Sequence, residues 1–309
     1  MAKNSDLKVL VLAEAANPEW TSVPLVGWSH TLALSRKVHV HLVTQVRNRA
    51  AIERFGWKHG REFTALNTEK VAAPIHKLAN LIRGGSKLAW TVSTAFQSLI
   101  YPYFEYLCWK TFEKDLRAGK FDIVHRITPV SPTAPSYLAK RLKKIKIPFV
   151  VGPMNGGVEW PVQFREVKGK EKEWLTNFRD FYKVLPGYRS MRAASAALIA
   201  GSKATLAQLP AYTREKSLLI PENAIDPDRF SIQNQSTYAL PLKAAFVGRL
   251  VPYKGADMAI EAMEPLLLAK KIEYDIYGAG PEENRLRQMV AAKGLTGSVR
   301  VHGQVPHTE

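Results

Sequence analysis

Short apolar runs alternate with helical stretches along nearly the whole chain. Residues 7–12 are apolar at almost every position, the pattern of a strand buried on both faces. Further strands are predicted at 38–44, where apolar and polar positions alternate, and at 121–125, 147–152, 196–201 and 218–221, with a short helix at 28–35. Strand–helix alternation of this kind builds a parallel sheet with helices on both faces, so the predicted fold class is α/β. The rhythm breaks between 55 and 119, which is long, aromatic and partly helical and reads as an insertion. Within it, residues 88–112 are apolar but interrupted by Ser93, Thr94, Gln97, Ser98, Pro102 and Glu105. A membrane-spanning helix needs roughly 20 consecutive apolar residues. Helices broken near Pro102 are therefore expected, either packed in the core or lying against a membrane surface.

A polar stretch without periodicity, 231–238, marks a linker. Three regions follow: a Rossmann-like domain over 1–231, a linker over 232–240, and a partial second Rossmann-like domain over 241–309. The alternation restarts in the last of these. Strands are predicted at 243–247, 273–277 and 298–302. A helix over 256–269 should kink or end near Pro265, and another over 281–293 has proline in its first turn and Gly294 just past its end. Thr308 and Glu309 read as a helix start, so the second domain is expected to be incomplete.

Composition narrows this picture only slightly. A length of 309 residues suits about two domains. The net charge of +17 favours an anionic partner, and nucleic acid, anionic lipid and the phosphates of a nucleotide sugar all qualify. The densest basic run, Lys140 to Lys146, also suits a solvated helix end. The single cysteine, Cys108, excludes an internal disulfide and a cysteine zinc site, which fits a reducing cytoplasm. Residues 1–6 are polar and are no signal peptide.

Six segments could carry chemistry. In Gly248-Arg249-Leu250-Val251-Pro252-Tyr253-Lys254-Gly255, a strand leads into a helix. Two glycines there permit close backbone approach, and Arg249 and Lys254 can set two cations beside one diphosphate. The same segment also reads as a tight turn with solvated basic side chains. Gly278 and Gly280 sit at a second strand-to-helix turn, but Glu283 stands where a dinucleotide fingerprint needs its third glycine. These two glycines either let backbone approach a nucleotide or simply form the turn. Gly27 opens the first helix, where a packing role competes with a phosphate. His125 ends a strand on its carboxyl side, the ligand side of open α/β sheets, where it could meet a sugar hydroxyl or be structural. Gly152, Asn155, Gly156 and Gly157 form a glycine-rich loop that either suits a hydroxyl-rich or anionic ligand or is simply a flexible connection. Asn223 lies in a turn close to the linker.

In this order the segments resemble the retaining GT-B-fold glycosyltransferases of family 4, the bacterial group 1 enzymes. The best pieces are Gly248-Arg249-Leu250 with Lys254-Gly255, Gly278-Ala279-Gly280-Pro281, Asn223-Ala224-Ile225-Asp226 and His302-Gly303-Gln304-Val305. The resemblance implies two Rossmann-like domains facing a cleft, the second incomplete. It implies transfer of a sugar from a nucleotide-diphosphate donor to a glycan or lipid-linked acceptor with retention of configuration. Arg249 and Lys254 would hold the diphosphate and stabilise the leaving group. Gly27 would face the same phosphates, with Gly248, Gly278 and Gly280 shaping the donor pocket. His125 would contact the transferred sugar, and Gly152 to Gly157 with Asn223 would line the cleft. No cofactor and no metal would be needed, since the two cations take the metal's electrostatic part. The enzyme would work in the cytoplasm or peripherally at the inner membrane face, against anionic lipid. The family's paired glutamates have no counterpart up to Glu309, so weak or absent turnover is expected of this chain. Val26 and Ala224 stand where glycine is common in the family. The competing expectation is a non-catalytic basic α/β module that binds nucleic acid or an anionic membrane surface; dispersed charge and glycine-turn spacing argue against nucleic acid.

Overall fold

The computed structural model describes residues 6–69, 90–156, 183, 186–224 and 239–305, with residues 90–99 as backbone alone. Two compact units divide them, one up to residue 224 and one from residue 239. Residues 232–238 of the expected linker, the last residues 306–309 and residues 70–89 of the expected 55–119 insertion lie outside the described residues.

The first unit is built on a seven-stranded parallel sheet. In chain order the strands are β1 (Lys8–Ala13), β2 (His39–Gln45), β3 (Phe63–Leu66), β4 (Ile123–Thr128), β5 (Phe149–Met154), β6 (Ala197–Ala200) and β7 (Ser217–Leu219). In space the order is β3-β2-β1-β4-β5-β6-β7. The order reverses between β1 and β4, whose carboxyl ends frame the usual ligand crevice of such sheets. The continuous apolar run of β1 has its reason here. Leu10 and Leu12 enter one core cluster, while Val9, Val11 and Ala13 enter another on the opposite face.

Helices α1 (Val23–Ser35), α2 (Arg49–Arg54), α3 (Trp90–Arg117), α4 (Leu138–Lys144), α5 (Tyr188–Ala194) and α6 (Lys203–Ala207) belong to this unit. Three expectations need correction. First, α1 begins at Val23, not at residue 28, because Pro24 in its first turn is pre-set for helix entry. Second, β4 runs on to Thr128, where Ala13 of β1 still pairs with it, so His125 lies inside the strand and does not end it. Third, α3 is one helix of 28 residues that passes through Pro102. A mid-helix proline costs about 3 kcal/mol. Tyr101, Phe104, Phe112 and Leu116 line one buried stripe of α3 in the larger core cluster. At about 1.5–3 kcal/mol per buried apolar side chain, that stripe outweighs the loss. No described helix is long and apolar enough to cross a membrane. Strand β3 falls inside the region expected to be an insertion and extends the sheet at its edge.

The second unit is a three-stranded parallel sheet, β8 (Leu242–Val247), β9 (Ile272–Tyr277) and β10 (Val299–Gly303), in the order β10-β9-β8. Helices α7 (Ala256–Leu268) and α8 (Glu283–Ala292) contribute Ile260, Leu267, Leu286 and Val290 to a core that also holds Tyr274, Ile276 and Val299. Helix α7 continues past Pro265 and is not ended by it.

Candidate functional site

In the first unit, a hydrogen-bond network at the carboxyl edge of the sheet fixes the loop after β1. The carbonyl of Glu14 accepts from the Gln45 N–H (3.2 Å), from Thr44 Oγ1 (3.1 Å) and from Asn48 Nδ2 (2.9 Å). Ala15 donates its N–H to Thr128 Oγ1 (3.1 Å) at the end of β4. Helix α1 lies down on this loop because Gly27 has no side chain: a Cβ there would stand 2.1 Å from the Ala15 carbonyl oxygen. Gly27 sits a full turn inside α1, beyond the free N–H groups of the helix start. Its neighbour Trp28 is also structural, with its ring edge-on to Phe55 (4.8 Å) and Trp57 (5.0 Å).

His125 is buried, and its Nε2–H donates to the Gly152 carbonyl of β5 (2.7 Å). A carbonyl only accepts, so Nε2 carries the proton and Nδ1 keeps its lone pair. Burial, with His30 nearby, pushes the imidazole down to about 4 despite the Gly152 bond, so it is neutral at physiological pH. Gly152 adopts φ +131°, and a Cβ there would stand 2.3 Å from the Ile199 carbonyl. The loop beyond is tied down in turn. Asn155 donates its N–H to the Val130 carbonyl (2.8 Å), its Oδ1 accepts from the Gly156 N–H (3.0 Å), and Thr205 Oγ1 donates to the Gly156 carbonyl (3.2 Å). His30 of α1 donates from Nε2 to the Glu222 carbonyl (2.7 Å), beside the exposed Asn223. Thus Gly27, His125, Gly152, Asn155, Gly156 and Asn223 gather at one edge of one sheet, while Gly157 lies outside the described residues. The pattern reading missed Glu14. Burial lifts its carboxyl to about 7 against the opposing pull of Arg47. Its place directly after the central strand was the only available signal.

In the second unit the two glycine turns pack on each other. Gly248 donates its N–H to the Tyr277 carbonyl (3.0 Å), and Leu250 to Ala279 (3.0 Å). A Cβ on Gly278 (φ +138°) would stand 1.9 Å from the Gly248 carbonyl oxygen, and one on Gly280 would stand 2.2 Å from that of Leu250. Both glycines are therefore needed for backbone to meet backbone. A 3-10 turn, Pro252–Lys254, then leads to Gly255 at φ +71°, the N-cap of α7, where glycine has no side chain to cap the helix. The N-terminal end of that helix favours an anion, although the Gly255 N–H already meets the Pro252 carbonyl (3.2 Å) and the Met258 N–H meets Asp257 Oδ1 (2.9 Å). The exposed Arg249 and Lys254 flank it and share one partner, Tyr253. Arg249 donates to the phenol oxygen (2.7 Å), and the Lys254 ammonium lies 5.8 Å from the ring centroid. Beside them, Tyr277 stacks on His302 at 4.4 Å, and Asp275 holds His302 Nε2 at 2.6 Å. Among the described residues no group of three His, Cys, Asp or Glu side chains could hold a metal ion.

Solved structures similar to this chain share its architecture. HepE of Anabaena, in complex with UDP and glucose, is 15% identical and covers 97% of this chain and 70% of its own, with a TM-score of 0.52. Sucrose-phosphate synthase from Thermosynechococcus elongatus is 13% identical over 98% and 71%, with a TM-score of 0.51. TarM is 10% identical over 97% and 77%, with a TM-score of 0.53. The chain has the GT-B fold. Residues 229–309, which hold every candidate residue of the second unit, match the family described as glycosyl transferases group 1. No curated protein matches the chain at a significant level.

Proposed function

We propose that this GT-B chain is a glycosyltransferase that takes a sugar from a nucleotide-diphosphate donor and passes it, with retention of configuration and without a bound metal, to a glycan or lipid-linked acceptor. The observation that carries this reading is the meeting of Arg249 and Lys254 on Tyr253 beside the glycine-capped start of α7, within the segment matched by the group 1 family. A leaving diphosphate gains negative charge as the glycosidic bond breaks. Two cations and the positive end of α7 already in place stabilise that charge without reorganising. Gly278 and Gly280 keep this platform compact, and the Gly248 backbone is what they meet.

In the first unit, neutral His125 offers an acceptor nitrogen to a sugar hydroxyl, oriented by its Nε2–H bond to Gly152. The loop Gly152 to Gly157 and Asn223 supply polar backbone and amide groups to the same edge, and Gly27 sets the height of the loop that bears Glu14. The net charge of +17 supports an acceptor that is anionic or lies on an anionic membrane surface.

Calorimetry with UDP, UMP and other nucleoside diphosphates, each with and without EDTA, tests the reading. Diphosphates should bind at least about tenfold tighter than monophosphates, the difference of one charge-assisted contact, and EDTA should leave the affinity unchanged. Equal affinity for UMP and UDP would remove the diphosphate grip from the account.

A further inference from the structure

The seven-stranded sheet sorts its charge by edge. On the carboxyl side the arginines have carboxylates of their own: Arg47 meets Glu69 (2.6 Å), Arg49 meets Glu53 (2.9 Å) and Arg54 meets Glu19 (2.7 Å). At the amino edge, where helices return to strands, cations gather without such partners. Arg36 and Lys37 precede β2, Lys143, Lys144 and Lys146 precede β5, and Lys216 precedes β7. Among the described residues no acidic side chain pairs with any of them. The acids nearby are engaged elsewhere: Asp115 holds Lys120 (2.7 Å), Glu113 holds Arg117 (2.9 Å), and Asp122 accepts the Lys8 N–H (2.8 Å). The exposed Asp6 and Glu215 remain.

The strand order β2-β1-β4-β5-β6-β7 lays these cations out as a row about 24 Å wide, at about 4.8 Å per strand. Lys216 donates from Nζ to the carbonyls of Ala193 (3.2 Å) and Ser195 (2.9 Å), which hold its charge on the edge without cancelling it. Burial and then the nearby Lys143 press its ionisation downward, the mark of like charges held close. Single cations suit helix C-termini. A row of them repels itself, and an anionic surface relieves that repulsion. Apolar side chains stand beside the row: Leu7 is 38% exposed, Tyr212 51% and Leu218 52%.

We propose that the amino edge of the first sheet docks on an anionic phospholipid surface. Lysines are mobile point charges and suit an array of headgroups, whereas nucleic acid is held by guanidinium forks and by several aromatic rings on one face. Leu7, Tyr212 and Leu218 suit the interfacial layer of a bilayer, where apolar bodies sit beside charged headgroups. Docking on this edge lifts the carboxyl edge about 20 Å off the bilayer, the length of a six-residue strand. On the glycosyltransferase reading, on which this last step alone rests, the acceptor hydroxyl therefore stands off the surface on a glycan and does not lie among the headgroups.

Vesicle co-sedimentation of the full chain is the test, with phosphatidylcholine alone and with phosphatidylglycerol added, and with UDP calorimetry on the same samples. Binding is expected to the mixed vesicles only, and it should fall as salt rises. Lys37→Gln, Lys143→Gln and Lys144→Gln combined should weaken it at least about tenfold, since each cation at an anionic surface contributes about fivefold. UDP affinity should stay unchanged. Arg47→Gln, Arg49→Gln and Arg54→Gln combined remove as much charge from the carboxyl side and should leave vesicle binding near its parent value. Absence of binding to the mixed vesicles overturns the proposal, as does an equal loss in the two triple variants, which would make net charge alone responsible. Tighter binding of an unrelated duplex oligonucleotide, lost in the lysine variant, would assign the edge to nucleic acid instead. Vesicle binding with no UDP binding would sink the donor reading and leave the docking face standing.

Discussion

The two sheets begin alike and diverge. Strands β3-β2-β1 of the first and β10-β9-β8 of the second run in the same order, and in both a strand turns into a helix beside a glycine pressed against a carbonyl. Beyond β1 the first sheet continues through β4 to β7, so its central strands are covered on both faces. In the second sheet β8 is an edge among the described residues, and Val247 at its end is 80% exposed. The chemistry follows the burial. In the first unit the candidate groups Glu14 and His125 are forced toward neutrality by desolvation. In the second, Arg249 and Lys254 stand exposed and charged. One topology thus presents neutral hydrogen-bonding groups on one sheet and a cationic anchor on the other, the division of labour expected when one side handles hydroxyls and the other a diphosphate.

The largest expected effect tests the shared backbone contact. Gly278→Ala combines a collision with Gly248 and a left-handed φ, and should cost the second unit more than about 3 kcal/mol. Hydrogen exchange would show lost protection in β8–β10 and none lost in β1–β5. A loss below about 1 kcal/mol would mean that the two turns are not held by that contact.

A second test sharpens the contrast in burial. Glu14 titrates at about 7 when folded against an ordinary 4.5, so the folded state holds its proton more tightly than the unfolded one. Its contribution is full below pH 4.5 and is lost as pH rises to 7. His125 titrates at about 4 against 6.5, so its contribution is full above pH 6.5 and is lost as pH falls to 4. Each amounts to about 3 kcal/mol across its window, with opposite sign. The two slopes should largely cancel between pH 4.5 and 6.5. In urea unfolding over that range, Glu14→Gln should make stability rise with pH and His125→Asn should make it fall. Parallel slopes in the two variants would contradict the assignment.

The smallest effect concerns the cationic anchor. Tyr253→Phe removes the hydroxyl that orients Arg249 and keeps the ring beneath Lys254. It should weaken UDP binding by about 0.5–1.5 kcal/mol, read by calorimetry.

Much of the architecture was legible in the pattern of the chain. The apolar run of β1, the alternation of β2 and the three strands of the second unit were placed to within a few residues, because burial on one or two faces leaves a periodic mark. Contacts between distant residues left no such mark. Phe63–Leu66 is too short to stand out, and α3 survives Pro102 through a buried stripe whose partners come from other elements. The glycines show the limit well. Spacing identified Gly27, Gly278 and Gly280 as places of close approach, but could not tell a ligand from the chain's own carbonyls. The buried neighbours that shift Glu14, and the Gly152 carbonyl that orients His125, are likewise supplied by the fold alone.

The account rests on two cations that act on one diphosphate, and a double-mutant cycle on UDP affinity tests this directly. Arg249→Ala and Lys254→Ala should each lose about 1.5–3 kcal/mol, and the double variant should lose measurably less than the sum of the two, because both contacts draw on the same charge. Full UDP affinity in both single variants would contradict it.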